Sequence, residues 1–77
     1  MAMDDPAKLQ KHSIKVAGHE TSVTLEAIFW KCLKDLAKRE GRSLNDLITE
    51  IDAKRSGNLS SALRVELLAR ALQAREG

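Results

Sequence analysis

The segment Thr21-Ser22-Val23-Thr24-Leu25 alternates hydroxyl and aliphatic side chains and runs without a break into an amphipathic stretch from Glu26 to Glu40. Gly41-Arg42-Ser43 interrupts that stretch, and a second one continues through Arg55. The order is strand, helix, tight turn, helix. A short strand has no sheet to join inside so small a chain, and its unpaired backbone groups form an open edge. The natural mate is the same strand from a second copy. Two such strands, antiparallel about a two-fold axis, make a two-stranded ribbon over four helices.

The Val23-Thr24-Leu25 strand, its spacing to Gly41 and the turn Gly41-Arg42-Ser43-Leu44-Asn45-Asp46 resemble the ribbon-helix-helix family of bacterial DNA-binding proteins. The resemblance covers roughly Ser22 to Arg55. It implies a mostly α fold with a short β ribbon, a homodimer, and insertion of the ribbon into the DNA major groove. Gly57 to Arg64, reading Gly-Asn-Leu-Ser-Ser-Ala-Leu-Arg, is similar to a group of small bacterial members that continue past the second helix. A third, C-terminal helix is therefore expected beyond the minimal dimer-forming unit.

Composition limits the alternatives. The chain has 77 residues, 43% hydrophobic and 31% charged, which describes one small domain with a limited core that benefits from a partner. Thirteen Lys and Arg against eleven Asp and Glu leave only +2, so any basic footprint must come from arrangement. Cys32 is the only cysteine, which excludes an intrachain disulfide and fits a reducing cytoplasm. The apolar runs are too short for a bilayer, and Met1-Ala2-Met3-Asp4-Asp5-Pro6 is acidic with no apolar core of a secretory signal. The expected location is cytoplasmic, with no membrane partner.

Residues 1–11 show little periodicity and read as a flexible N-terminal arm, leaving 12–77 as the domain, its helical extension at about 59–75. Ser13-Ile14-Lys15-Val16 alternates like a second short strand, and Gly18 can supply a turn to Thr21. Two arrangements stay open. Either the two strands form an intramolecular hairpin and the dimer ribbon becomes the centre of a four-stranded sheet, or the first segment lies along the helices.

In the first helix Leu25, Phe29, Leu33 and Leu36 recur at helical spacing with Ile28 and Cys32 alongside, predicting a core stripe and a buried, inert thiol. Gly41 falls at the C′ position, and Ser43 is an N-cap candidate for a second helix that presents Leu44, Leu47, Ile48 and Ile51. Val23, Leu25, Phe29, Leu33, Leu36, Leu47, Ile48 and Ile51 form the expected dimer core. Asn58 or Ser60 can cap the third helix, whose apolar residues spread over an arc wide enough for more than one covering surface.

Because alternate strand residues face opposite ways, Ser22 and Thr24 point outward, with Glu20 next in register. They are the base-contact candidates, since hydroxyls donate and accept at base edges and a carboxylate accepts from cytosine N4. In the family a basic or amide residue commonly stands where this chain has Glu20. Lys15 and His19, with Lys11 and Lys8 behind them, are candidates for phosphates. The resemblance also sets the start of the second helix, Arg42, Ser43, Leu44 and Asn45, against a phosphate.

Catalysis has no support: His12 and His19 lack a metal-binding partner set, and there is no Gly-rich phosphate loop. No enzyme activity, metal or cofactor is expected. The leading expectation is a homodimeric, sequence-specific DNA-binding protein, a transcriptional regulator of the bacterial repressor type. The runner-up is a dimeric protein-interaction module, antitoxin-like or an accessory subunit, binding another protein through the third helix or through Trp30, which in the simpler reading packs under that helix instead.

Overall fold

A computed structural model describes residues 5–76. The elements run β1 (Leu9–Val16), β2 (His19–Glu26), α1 (Ala27–Arg39), α2 (Leu44–Lys54) and α3 (Leu59–Glu76). The strands pair antiparallel from Leu9 opposite Glu26 to Val16 opposite His19, so the intramolecular hairpin is the arrangement that forms. This corrects the premise that the strand lacks a mate within the chain: one edge of β2 is filled by β1. The connection is Ala17-Gly18, with φ of 53° and 83°. Positive φ at both central residues is the signature of a type I′ turn, which matches the twist of the flanking strands. Ala17 holds a conformation that costs a residue with a Cβ roughly 1–2 kcal/mol.

The hairpin lays one face on the helices. Ile14, Val16, Val23 and Leu25 are buried there, against Trp30, Leu33 and Ala37 of α1, Leu47, Ile48 and Ile51 of α2, and Leu63 and Leu67 of α3. The end of α1 and the starts of α2 and α3 each have an identifiable cap. Arg42 N–H donates to the Ala37 carbonyl (3.0 Å) and Gly41 N–H to that of Lys38 (3.1 Å), a Schellman motif that Gly41 permits with φ of 66°. Ser43 Oγ accepts from Asp46 N–H at 3.0 Å to open α2. Asn58 Oδ1 accepts from Ser61 N–H at 2.8 Å to open α3.

Three sequence expectations need correction. Residues 1–4 lie outside the described part of the arm, but the strand starts earlier than residue 12: Leu9 to Lys11 belong to β1, and the carbonyls of Pro6 and Lys8 accept from Ile28 N–H (3.0 Å) and Ala27 N–H (2.8 Å). Glu26, the N-cap of α1, makes no side-chain capping bond, so the arm satisfies the first free amides of that helix. The buried stripe of α1 is Trp30, Leu33 and Ala37, about one residue around from the expected one; Phe29 and Leu36 are half-buried and Cys32 is exposed. Trp30, 1% exposed, is core and not an anchor for a partner. Its indole N–H donates to the Gln10 carbonyl at 2.9 Å, and the His12 ring lies 4.2 Å from it, centroid to centroid. An aromatic donor needs an acceptor when buried, and β1 supplies one.

Charged side chains fasten the helix ends together. Arg42 pairs with Glu50 and Glu40, and Arg70 of α3 reaches Glu40 (2.6 Å), Glu66 (2.8 Å) and Glu50 (3.7 Å). Arg64 Nε donates to Glu26 at 2.9 Å, tying α3 to the end of β2. The Arg42 hydrogen bond holds the Glu50 carboxyl below its ordinary pKa, and the Arg64 hydrogen bond does the same to Glu26.

Candidate nucleic-acid interface

The face of the hairpin turned away from the helices is built from odd-numbered residues of β1 and even-numbered residues of β2. The register sets Lys11 opposite Thr24, Ser13 opposite Ser22, and Lys15 opposite Glu20. All six are exposed. Ser22, Thr24, Glu20 and Lys15 thus share one surface. His19 is exposed but has the pleat parity of Val23 and Leu25, so it stands at the turn end of the opposite face.

Sequence reasoning names Lys11 as a phosphate candidate but leaves it in the arm, without a place on the strand, and does not single out Ser13 for the interface. Both complete the outer face. Their signal is the common parity of Lys11, Ser13 and Lys15, masked because the inward positions between and beside them are Gln10 and His12 as well as Ile14. Among the described residues no ion pair joins Lys15 to Glu20, although directly opposed pairs of this kind hold their Cβ atoms about 4.5–5.5 Å apart.

Hydrogen-bond geometry defines which edge is open. In a hairpin closed by a two-residue turn, the flanking residues Val16 and His19 exchange backbone bonds, as do every second pair beyond them. Lys8 carbonyl to Ala27 N–H continues that series. The backbone groups of Glu20, Ser22 and Thr24 therefore point away from β1. The Thr24 carbonyl accepts from Ser60 Oγ at 3.2 Å, while Glu20 and Ser22 carry the unpaired part of the edge. Ser60, a cap candidate for α3, is used here to hold the start of α3 beside β2.

At the start of α2, the Ser43 hydroxyl is occupied by the Asp46 amide. The Arg42 guanidinium is engaged by Glu50, by Glu40 (3.5 Å) and by the Asp46 carbonyl (3.1 Å), and its pKa is raised, chiefly by the Glu50 hydrogen bond. Leu44 is half-buried against the core, and Asn45 is exposed. Among the described residues the Leu44 and Asn45 amides make no backbone hydrogen bond, so the free donors at this helix N-terminus are main-chain groups.

Among the described residues no set of three His, Cys, Asp or Glu side chains is placed to hold a metal ion, and no helix is long and apolar enough to cross a membrane.

No curated protein matches the sequence. A solved structure, that of an uncharacterized protein from Bordetella pertussis Tohama I, is similar with 32% identity and a TM-score of 0.75 over 92% of this chain. The match spans 62% of that protein's length. A family model described as a ribbon-helix-helix domain matches residues 9–71, from the first residue of β1 deep into α3. With its β ribbon, its Gly41 turn and its capped second helix all inside the matched span, the chain belongs to the ribbon-helix-helix family.

Proposed function

We propose that the protein is a cytoplasmic, homodimeric, sequence-specific DNA-binding regulator that reads the major groove with the outer face of paired β2 strands. The observation that carries this reading is the outer face itself: hydroxyl-bearing Ser22 and Thr24 on the strand with the open edge, flanked on β1 by Lys11 and Lys15. Pairing β2 with its two-fold mate gives the strand order β1-β2-β2′-β1′. Strands lie about 4.8 Å apart, so the outer two are separated by about 14 Å. The major groove is about 12 Å wide and admits two strands, not four. The central β2 pair then enters the groove with Ser22, Thr24 and Glu20 at base edges. Lys11 and Lys15, on the outer strands, lie over the phosphate rims and supply the cations that the modest net charge withholds from the rest of the surface. The Leu44 and Asn45 amides at the start of α2 add main-chain donors for phosphate.

The test is a pair of variants measured by fluorescence anisotropy on a selected duplex and on random duplex. Ser22→Ala with Thr24→Ala should weaken the selected duplex by about 1–3 kcal/mol for each base edge no longer read and leave random duplex nearly unchanged. Lys11→Ala should weaken both and flatten the salt dependence by about 0.9 in the log–log slope for each phosphate no longer neutralised. Equal, negligible effects of both variants in a folded protein would refute the assignment of this face.

A further inference from the structure

Between α1 and α3 lies an open groove of about 810 Å³, floored by Ile28, Phe29, Cys32 and Leu36 from one helix and by Val65 and Leu68 from the other. Ile28 is 44% exposed, Val65 67% and Leu68 61%; Leu72, one turn on along α3, is 50% exposed. Val65, Leu68 and Leu72 follow helical spacing, so they form a continuous apolar stripe that does not pack on the core. Large apolar side chains left open in a row mark an interaction surface.

We propose that this groove is closed by the α1–α3 face of a second copy of the chain, making the third helix part of the same two-fold interface that joins the β2 strands. The inference rests on the homodimer reading above and specifies what it leaves open. Three features favour this occupant. First, the groove is continuous with the open strand edge: Arg64 lines it and also lines the hollow bounded by Thr21 to Thr24, Ser60 and Ser61. A two-fold axis normal to the sheet keeps both helix layers on one side of the ribbon. The helix held beside the open edge, α3, then meets the partner's helix layer. Second, the free edge is short, since among the described residues of β2 only Glu20 and Ser22 have both backbone groups pointing away from β1 and unpaired, whereas stable interfaces bury about 1,200–2,000 Å². The remaining area must come from beyond the ribbon, and the apolar groove adjoins it. Third, the groove margin carries both signs, Asp35 and Glu40 with Arg39, Arg64 and Arg70, which suits a self-complementary interface better than a strongly acidic or basic partner.

Cys32 gives a direct test on the unaltered chain, because it is an exposed thiol on the groove wall. Its reaction rate with a chromogenic disulfide reagent is measured across protein concentrations, with mass by light scattering on the same samples. The proposal expects a dimer at twice 8.5 kDa and a fall in the Cys32 rate of at least about tenfold as the dimer forms. Val65→Glu with Leu68→Glu, at exposed positions, should restore the fast rate and raise the dimer dissociation constant at least about a hundredfold while keeping the helical circular-dichroism spectrum. A dimer whose Cys32 reacts as fast as in the dilute protein leaves the groove free for a foreign helix; that result overturns the proposal and leaves strand pairing intact. A chain that stays monomeric at high micromolar concentration overturns the proposal and the homodimer reading together.

Discussion

Replacing Trp30 by Phe tests how the outer face is held in place. Trp30 sits beneath β1, with its indole N–H on the Gln10 carbonyl and its ring against His12, and those two residues bracket Lys11. Phe removes the donor and leaves a void of roughly 40 Å³, which at about 24 cal/mol per Å³ costs about 1 kcal/mol. The Gln10 carbonyl also lies in the ladder opposite Leu25, so it is not orphaned, and loss of the indole bond adds only about 0.5–1 kcal/mol. For a domain of this size a total near 1.5–2 kcal/mol lowers the melting temperature by about 6–16 °C. Thermal melts followed by circular dichroism measure it, with hydrogen exchange of the β1 amides as a local readout. Those amides should exchange faster relative to α2 in the variant. A shift under about 2 °C with unchanged β1 protection would refute the claim that Trp30 anchors the strand. Trp30→Ala, at about 3–5 kcal/mol, approaches the whole stability of so small a domain and should give a largely unfolded chain.

Other perturbations follow from single features. Ala17→Asn places a residue that tolerates positive φ in the type I′ turn and should stabilise the protein by about 0.5–1 kcal/mol; a lower melting temperature would contradict the turn assignment. Glu20→Arg should tighten duplex binding and steepen its salt dependence with little change in stability, because the side chain is exposed beside Lys15 on the outer face. Weaker binding by that variant would mean that the carboxylate itself makes a favourable interaction. Glu26 and Glu50 have folded-state pKa values held below their ordinary range, so their ion pairs contribute fully above the unfolded carboxylate pKa. That contribution is lost as pH falls through the depressed folded values. Urea midpoints should therefore drop on going from about pH 5 toward pH 3, and Glu50→Gln should flatten the drop; parallel profiles for variant and wild type would rule that pair out as a cause.

Much of the architecture is legible in the sequence because local chemistry and global fold agree. Gly41 and Ser43 announce the stop of α1 and the start of α2, Asn58 the start of α3, and the Val23–Leu25 alternation the inner face of β2. β1 is half hidden for a physical reason. Two of its inward positions are Gln10 and His12, polar residues that become acceptable only once Trp30 lies under them, and no periodicity rule sees that packing. The direction of α1 is ambiguous because apolar residues occupy more than half its circumference, so neighbours and not spacing select the buried stripe. Spacing alone puts Cys32 and Ile28 in the core, whereas both face the groove toward α3. The base-contact candidates are readable from pleat parity alone. The flanking Lys11 and Ser13 are not, since they depend on the register of a strand whose first half has no apolar alternation.

The most direct test of the central claim is selection of bound duplexes from a random pool at near-physiological salt, followed by sequencing of the enriched population. If paired β2 strands read base edges about a two-fold axis, the enriched sequences share an inverted repeat, and Ser22→Ala with Thr24→Ala removes the enrichment. A folded dimer that enriches no sequence over the starting pool would contradict groove reading by this face.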